Sequence, residues 1–173
     1  MESDELGPED AILVDTNLFV AVGGVNHPKF QKLREFAERR QLTLLVPQRV
    51  KQELSTMHIA DRVERAVDDG WAELIDPPSP TDPDAVAAMD FVRREIARQT
   101  GKEEHRVEKA DTVFAGLAIE LLREGNPRVA ILTDDRIAAA AIERAVEQQG
   151  YDESVLVLRR DDIVDGDGDV HVI

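Results

Sequence analysis

Acidic side chains stand at the ends of several apolar segments of this chain. Asp15 follows the run AILV, and Asp134 and Asp135 follow the run VAIL after a single threonine. Glu53 comes soon after the run LTLLV, and Asp111 lies at the start of the apolar segment ADTVFAGLAIELL. Carboxylates brought to one place repel each other unless a cation lies between them. Oxygen ligands suit Mg²⁺ or Mn²⁺, and such an ion supports hydrolysis of a phosphodiester bond.

Each of these acids also has a purely structural explanation. Asp15 or Thr16 can cap a helix, because Asp and Thr oxygens accept hydrogen bonds from the free N–H groups of a first turn. Glu53 can lie on a solvated helix face, and Asp111 can be a first-turn charge that complements a helix dipole. A second cap can be shared by neighbouring residues, namely Thr133, Asp134 and Asp135. The metal-site interpretation therefore depends on whether the fold brings the acids together.

Short apolar runs alternate with segments of helical periodicity along the chain. The runs predict strands over 11–14, 42–46, 71–75, 129–132 and 155–158, with 71–75 at the edge of the sheet. Helices are predicted after the possible cap at 26–28, in VKQEL, over 62–67, 83–98 and 110–123, and in the alanine-rich segment before Gly150. This order predicts an α/β protein, a three-layer α/β/α fold with a central, mostly parallel sheet. In such sheets ligands bind beyond the carboxyl ends of the strands, where Asp15 and Asp134-Asp135 would stand.

The length of 173 residues predicts a single domain. We expect a flexible acidic arm over 1–10, the domain over 11–160, and an acidic C-terminal tail over 161–173. No apolar run reaches the length of a membrane span, and the acidic N-terminus does not resemble a signal peptide. The chain has no cysteine, which excludes thiolate metal sites and favours a cytoplasmic location with no membrane partner.

The charge balance is strongly negative. The chain has 36 acidic and 21 basic residues, a formal net charge of −15, and 16 of the basic residues are arginine against 5 lysines. A surface of this kind is typical of proteins that stay soluble in molar intracellular salt. It also argues against a protein that holds nucleic acid on a basic surface. A polyanionic substrate would have to be met locally, by a few arginines or by bound divalent cations.

Four segments together resemble the PIN domain, the ribonuclease fold of VapC-type toxins and of many RNA-processing nucleases. They are ILVDTNLF, VPQRVKQEL, KADTVFAGLA and ILTDDRIAAAA, in the order and at the approximate separations that the family has. Together with the acidic composition, the resemblance predicts a PIN domain from a halophilic archaeon. None of the four segments is specific alone, but the ordered set spans residues 12 to about 140.

The resemblance implies an endoribonuclease that hydrolyses RNA with Mg²⁺ or Mn²⁺. The implied catalytic residues, which are also the implied metal ligands, are Asp15, Glu53, Asp111 and Asp135. Asn17 matches the residue that orients the first acid, and Thr133 and Asp134 have supporting positions, with Asp134 an alternative to Asp135 as the ligand. The family also implies an RNA substrate and, for a VapC-type toxin, a small antitoxin partner and a homodimer. A housekeeping RNA-processing nuclease fits the sequence equally well.

Two other functions compete with this interpretation. A haloacid dehalogenase-like phosphatase also ends its first strand in an aspartate, but it requires a second aspartate two residues later as the general acid. That position holds Asn17, which can neither give nor take the proton. A non-catalytic PIN-like binding module is the other alternative, and the presence of all four acids argues against it.

Overall fold

The computed structural model describes residues 6–76, 80–107 and 109–163, and at 109–111 it describes the backbone alone. Within these residues the chain forms a sheet of five strands in the order β3-β2-β1-β4-β5, with every neighbouring pair parallel. The strands are β1 (Ala11–Val14), β2 (Leu44–Pro47), β3 (Ala72–Ile75), β4 (Val129–Leu132) and β5 (Val155–Leu158). The strand over 71–75 lies at an edge, as predicted.

Helices follow each strand. They are α1 (Thr16–Ala21), α2 (Pro28–Arg39), α3 (Gln48–Thr56), α4 (Asp61–Asp68), α5 (Pro83–Thr100), α6 (Lys109–Arg123), α7 (Arg136–Gln148) and α8 (Arg160–Ile163), with a short 3₁₀ turn at Glu104–Arg106. Parallel connections are right-handed, which puts α1–α4 on one face of the sheet and α5–α7 on the other. The packing agrees, because α5, α6 and α7 contact one another. The last helix, α8, contacts α2 and so packs with the first group of helices. The three-layer α/β/α prediction is confirmed.

The two central strands explain why the fold needs helices on both faces. Every residue of β1 and of β4 is buried, so both sides of these strands are covered. Continuous apolar runs such as AILV and VAIL are typical of strands in parallel sheets of this kind. The rigid centre of the sheet therefore ends in Asp15 on one strand and Thr133 on the other.

The structure adds detail at both ends of the domain. Leu6 is buried, and the side chain of Asp10 is fully buried against Arg128, with Nη2 2.9 Å and Nε 3.1 Å from the two carboxylate oxygens. After β5 the chain forms α8, whose last residue, Ile163, is buried. Residues 1–5 and 164–173, which fall in the predicted arm and tail, lie outside the described residues. The predicted domain limits stay a prediction.

Replacing Arg128 with methionine should lower the free energy of unfolding by about 3 kcal/mol, because it leaves the buried Asp10 carboxylate without its cation. Denaturant unfolding of the two proteins at neutral pH measures this difference. Arg94→Met on the exposed side of α5 is the matched control. A loss at Arg128 no larger than that of the control would show that the ion pair does not stabilise the fold.

Candidate active site

The register of the sheet places the two predicted motifs side by side. Val14 pairs with Leu132, so Asp15 and Thr133 leave the sheet next to each other, and the N–H of Asp15 donates to the carbonyl of Leu132 at 2.9 Å. The strand order reverses between β1 and β4, since the chain first builds β2 and β3 on one side and later β4 and β5 on the other. Ligands of open α/β sheets bind at such a switch point, outside the carboxyl ends of the strands.

Asp15 is held rigidly at this point. The residue is only 5 % exposed, and its side chain accepts three hydrogen bonds. Oδ1 accepts from the N–H of Thr16 at 2.7 Å, and Oδ2 accepts from Nδ2 of Asn17 at 3.0 Å and from the hydroxyl of Thr133 at 3.1 Å. Asp15 is the N-cap of α1, so the capping prediction and the placement at the rim of the sheet both hold for the same side chain.

The surroundings raise the pKa of Asp15 from 3.8 to about 6. Burial is the largest cause, because it disfavours the charged form. The hydrogen bonds from Thr16 and Thr133 act in the opposite direction, and the negative charges of Glu53 and Asp135 raise the pKa further. Glu53 and Asp135 therefore lie near enough for their charges to act on Asp15, while their role as ligands stays a prediction.

This raised pKa predicts how stability depends on pH. In the unfolded chain Asp15 loses its proton above its ordinary pKa of 3.8, whereas in the folded protein it keeps the proton up to its raised pKa of about 6. The stability that this proton gives the folded protein is therefore fully present below pH 3.8 and is lost as the pH rises through about 6. The gap between the two values corresponds to about 3 kcal/mol. Unfolding measured with a chelator from about pH 4 to about pH 7 should therefore show a steeper fall for the native protein than for Asp15→Asn. Parallel curves would contradict this origin of the slope.

Asn17 joins the ends of β1 and β4. Its Nδ2 donates to Asp15, while its Oδ1 accepts from the N–H of Asp134 at 2.6 Å and lies 3.1 Å from the Thr133 hydroxyl. The amide is needed as both donor and acceptor, since an aspartate here could not donate to Asp15. These contacts are compatible with the orienting role that the resemblance implies for Asn17, which stays a prediction.

Glu53 reaches the same rim from α3. Its Oε2 accepts a hydrogen bond from the Thr16 hydroxyl at 2.6 Å, across 37 positions of sequence. Thr16 is buried, with 8 % of its surface exposed. The sequence predicts only a possible capping role for Thr16, but Asp15 is the cap and the Thr16 hydroxyl instead binds Glu53. Only the three-dimensional contact reveals this second role.

Asp134 and Asp135 point to different partners. Oδ1 of Asp135 caps α7 by accepting from the N–H groups of Ile137 and Ala138, both at 3.0 Å. Oδ1 of Asp134 instead lies 3.4 Å from the N–H of Arg160, at the start of α8. Thr133 supports this turn, because its hydroxyl oxygen lies 3.3 Å from the N–H of Asp135. Asp135 is thus the member of the pair whose charge acts on Asp15.

The fourth acid, Asp111, lies in the first turn of α6, a helix that packs against β1 and β4. Its side chain falls outside the described part of the structure. Among the side chains that are described, no three His, Cys, Asp or Glu residues form a ready metal-binding group. The role of Asp111 therefore stays a prediction.

The donor atoms that are described fit a hard divalent cation. Oδ2 of Asp135 and Oε1 of Glu53 accept no hydrogen bond from any other described residue, so both oxygens have lone pairs to offer. Together with Asp15 they are oxygen donors of the kind that Mg²⁺ and Mn²⁺ prefer, although the described carboxylates alone form no ready metal-binding group. A cation would also reduce the repulsion from Glu53 and Asp135, which adds to the larger effect of burial on the pKa of Asp15.

Comparison with known families decides the classification. The model of the halobacterial PIN domain matches residues 8–170, nearly the whole chain. The chain belongs to the halobacterial PIN domain family. This PIN domain is therefore nuclease-like, and PIN domains typically use divalent metals. No curated protein matches the chain.

The family match confirms the resemblance on which the residue assignments were based. It covers all four motif segments and includes α8, of which all but Arg160 lies in the predicted acidic tail. Among helices in the described parts of this PIN domain, none has the length and apolar character that crossing a membrane requires.

Proposed function

We propose that this PIN domain is a divalent-metal-dependent endoribonuclease that hydrolyses phosphodiester bonds of RNA. The observation that carries the proposal is the buried Asp15 carboxylate at the switch point of the sheet, with the charges of Glu53 and Asp135 acting on it. The proposed ligands of Mg²⁺ or Mn²⁺ are Asp15, Glu53, Asp111 and Asp135.

Each described ligand is fixed by a different part of the fold. Three hydrogen bonds hold Asp15, the Thr16 hydroxyl holds Glu53, and the first turn of α7 holds Asp135. Hydrogen bonds from neighbouring residues to a metal ligand set its orientation, and their loss typically weakens metal affinity or activity. A bound divalent ion would lower the pKa of water and stabilise the leaving oxygen of the phosphodiester. The protein's own contribution is to orient the carboxylates through these hydrogen bonds.

The net charge of −15 supports a metal-centred mode of substrate binding. An acidic surface repels the RNA backbone, and molar salt weakens contacts between phosphates and basic side chains. Several of the arginines on the helices are already committed to carboxylates, as in the pairs Arg34–Glu38, Arg93–Asp90 and Arg98–Glu95. Substrate binding would then depend mainly on the metal site and on shape.

A substrate comparison tests this proposal. The protein in molar KCl is given either a single-stranded RNA or p-nitrophenyl phosphate, each with Mg²⁺, with Mn²⁺ or with EDTA. We expect cleavage of the RNA only with a divalent ion, and no turnover of the phosphomonoester. Turnover of the phosphomonoester alone would support the phosphatase alternative. The absence of both activities would support a binding module.

The proposal allows two alternative cellular roles. A VapC-type toxin with a small antitoxin and a homodimeric assembly is one form of the proposal, and an RNA-processing nuclease is the other. Both use the same carboxylates and the same cytoplasmic RNA substrate. Growth arrest on expression, relieved by the product of a neighbouring gene, would support the toxin; normal growth would favour the processing nuclease.

A further inference from the structure

Glu53 has two potential partners in the fold, and only one of them is used. Arg49 lies one helical turn before Glu53 on α3, the spacing at which side chains on one helix face meet. Arg49 is exposed, and it forms no ion pair or hydrogen bond with any residue that the structure describes. Glu53 is instead bound by Thr16 from α1, at 2.6 Å.

Physical chemistry explains why Thr16 prevails. The order of the two charges, Arg before Glu, is the weaker orientation for a pair along a helix. An exposed pair of this kind must also order two long side chains and is screened by salt. The hydroxyl of Thr16 is already buried and fixed beside Asp15, so its hydrogen bond to the charged carboxylate needs little further ordering.

We propose that Thr16 is a positioning residue, which keeps Glu53 at the candidate metal site and away from Arg49. The backbone N–H of Thr16 binds Asp15 while its hydroxyl binds Glu53, so a single residue sets the relative placement of two acids. Without the hydroxyl, Glu53 would turn toward Arg49, and the site would lose one of its oxygen ligands. This inference rests on the proposed metal site but not on the identity of the substrate.

Four variants and one matched control test this role. Thr16→Val removes the hydroxyl at nearly constant volume, and Thr16→Ser keeps it. Thr16→Val combined with Arg49→Gln removes both partners of Glu53, with Arg49→Gln alone as its reference. Thr56→Val is the matched control, because the Thr56 hydroxyl donates at 2.6 Å to the backbone carbonyl of Glu53 rather than to its carboxylate.

The readouts are Mn²⁺ affinity by electron paramagnetic resonance and kcat and KM for RNA cleavage, with thermal unfolding to confirm that each variant is folded. We expect Thr16→Val to lower Mn²⁺ affinity and kcat about tenfold, with a smaller change in KM. In Thr16→Ser both quantities should stay within about twofold of the native values. In the double variant both should be about threefold higher than in Thr16→Val. Thr56→Val should leave both quantities unchanged.

Three results would overturn the inference: native Mn²⁺ affinity in Thr16→Val, equal losses in the Ser and Val variants, or no recovery when Arg49 is also replaced. If Mn²⁺ affinities follow the expected order while no protein cleaves RNA, the positioning role stands and the proposed ribonuclease function fails.

Discussion

If the proposed function is right, Asp15→Asn should slow RNA cleavage by a factor of about 10³ or more, and it should lack the rise in unfolding temperature that we expect Mg²⁺ to give the native protein. The reason is both charge and geometry. The buried carboxylate is the group on which the charges of Glu53 and Asp135 act, and it is the central member of the proposed ligand set. An amide at this position keeps the shape but loses the charge that attracts the cation.

The same substitution at Asp152, an exposed residue between α7 and β5, is the matched control for the change in net charge. It should keep native cleavage and the native response to Mg²⁺. Cleavage is measured on single-stranded RNA, and stabilisation is measured by thermal unfolding with and without Mg²⁺. Full activity in Asp15→Asn would show that the site has been assigned to the wrong residues.

Asn17→Asp should strongly destabilise the folded protein, although it adds a carboxylate to a site made of carboxylates. Its side chain would replace the Nδ2 donor 3.0 Å from Asp15 with a charged acceptor. Two carboxylates this close cannot both ionise without a large penalty, so we expect a loss of about 3 kcal/mol in the metal-free protein at neutral pH. The loss should shrink at acidic pH, where the two groups can share a proton.

Asn26→Asp, an exposed change of the same chemistry just before α2, is the control for Asn17→Asp. Denaturant unfolding at neutral and acidic pH, with a chelator present, measures both variants. The Asn17 variant also tests the phosphatase alternative, because it supplies the aspartate that this alternative lacks. A gain of phosphomonoester hydrolysis, or an unchanged stability, would contradict our account of Asn17.

The sheet was largely predictable because buried parallel strands are written as continuous apolar runs. The strands over 129–132 and 155–158 occur where the sequence predicts them. The second strand begins at Leu44 rather than at 42, because the N–H of Leu42 donates to Ala37 and closes the end of α2, with Gln41 at a φ of 57°. The helix α8 was not predicted, since its four residues RDDI carry a single buried apolar side chain.

The candidate site was predictable only in part. Asp15 and Asn17 could be inferred because they directly follow a buried strand whose end is fixed by the sheet. The contact between Thr16 and Glu53 could not, because it joins residues 37 positions apart through the packing of α1 on α3. The sequence also left Asp134 and Asp135 as alternatives. The start of α7 at Arg136 makes Asp135 the capping residue. The choice of Asp135 over Asp134 as the ligand stays a prediction.

The most direct test of the central claim follows the oxygen atom that cleaves the RNA. RNA is cut by the native protein in ¹⁸O-labelled water, with Mg²⁺ or with EDTA, and the new ends are analysed by mass spectrometry. Our account predicts cleavage only with the divalent ion, and a single ¹⁸O atom in each new terminal phosphate, because water attacks the phosphorus. Cyclic or unlabelled phosphate ends, or cleavage that persists in EDTA, would contradict it.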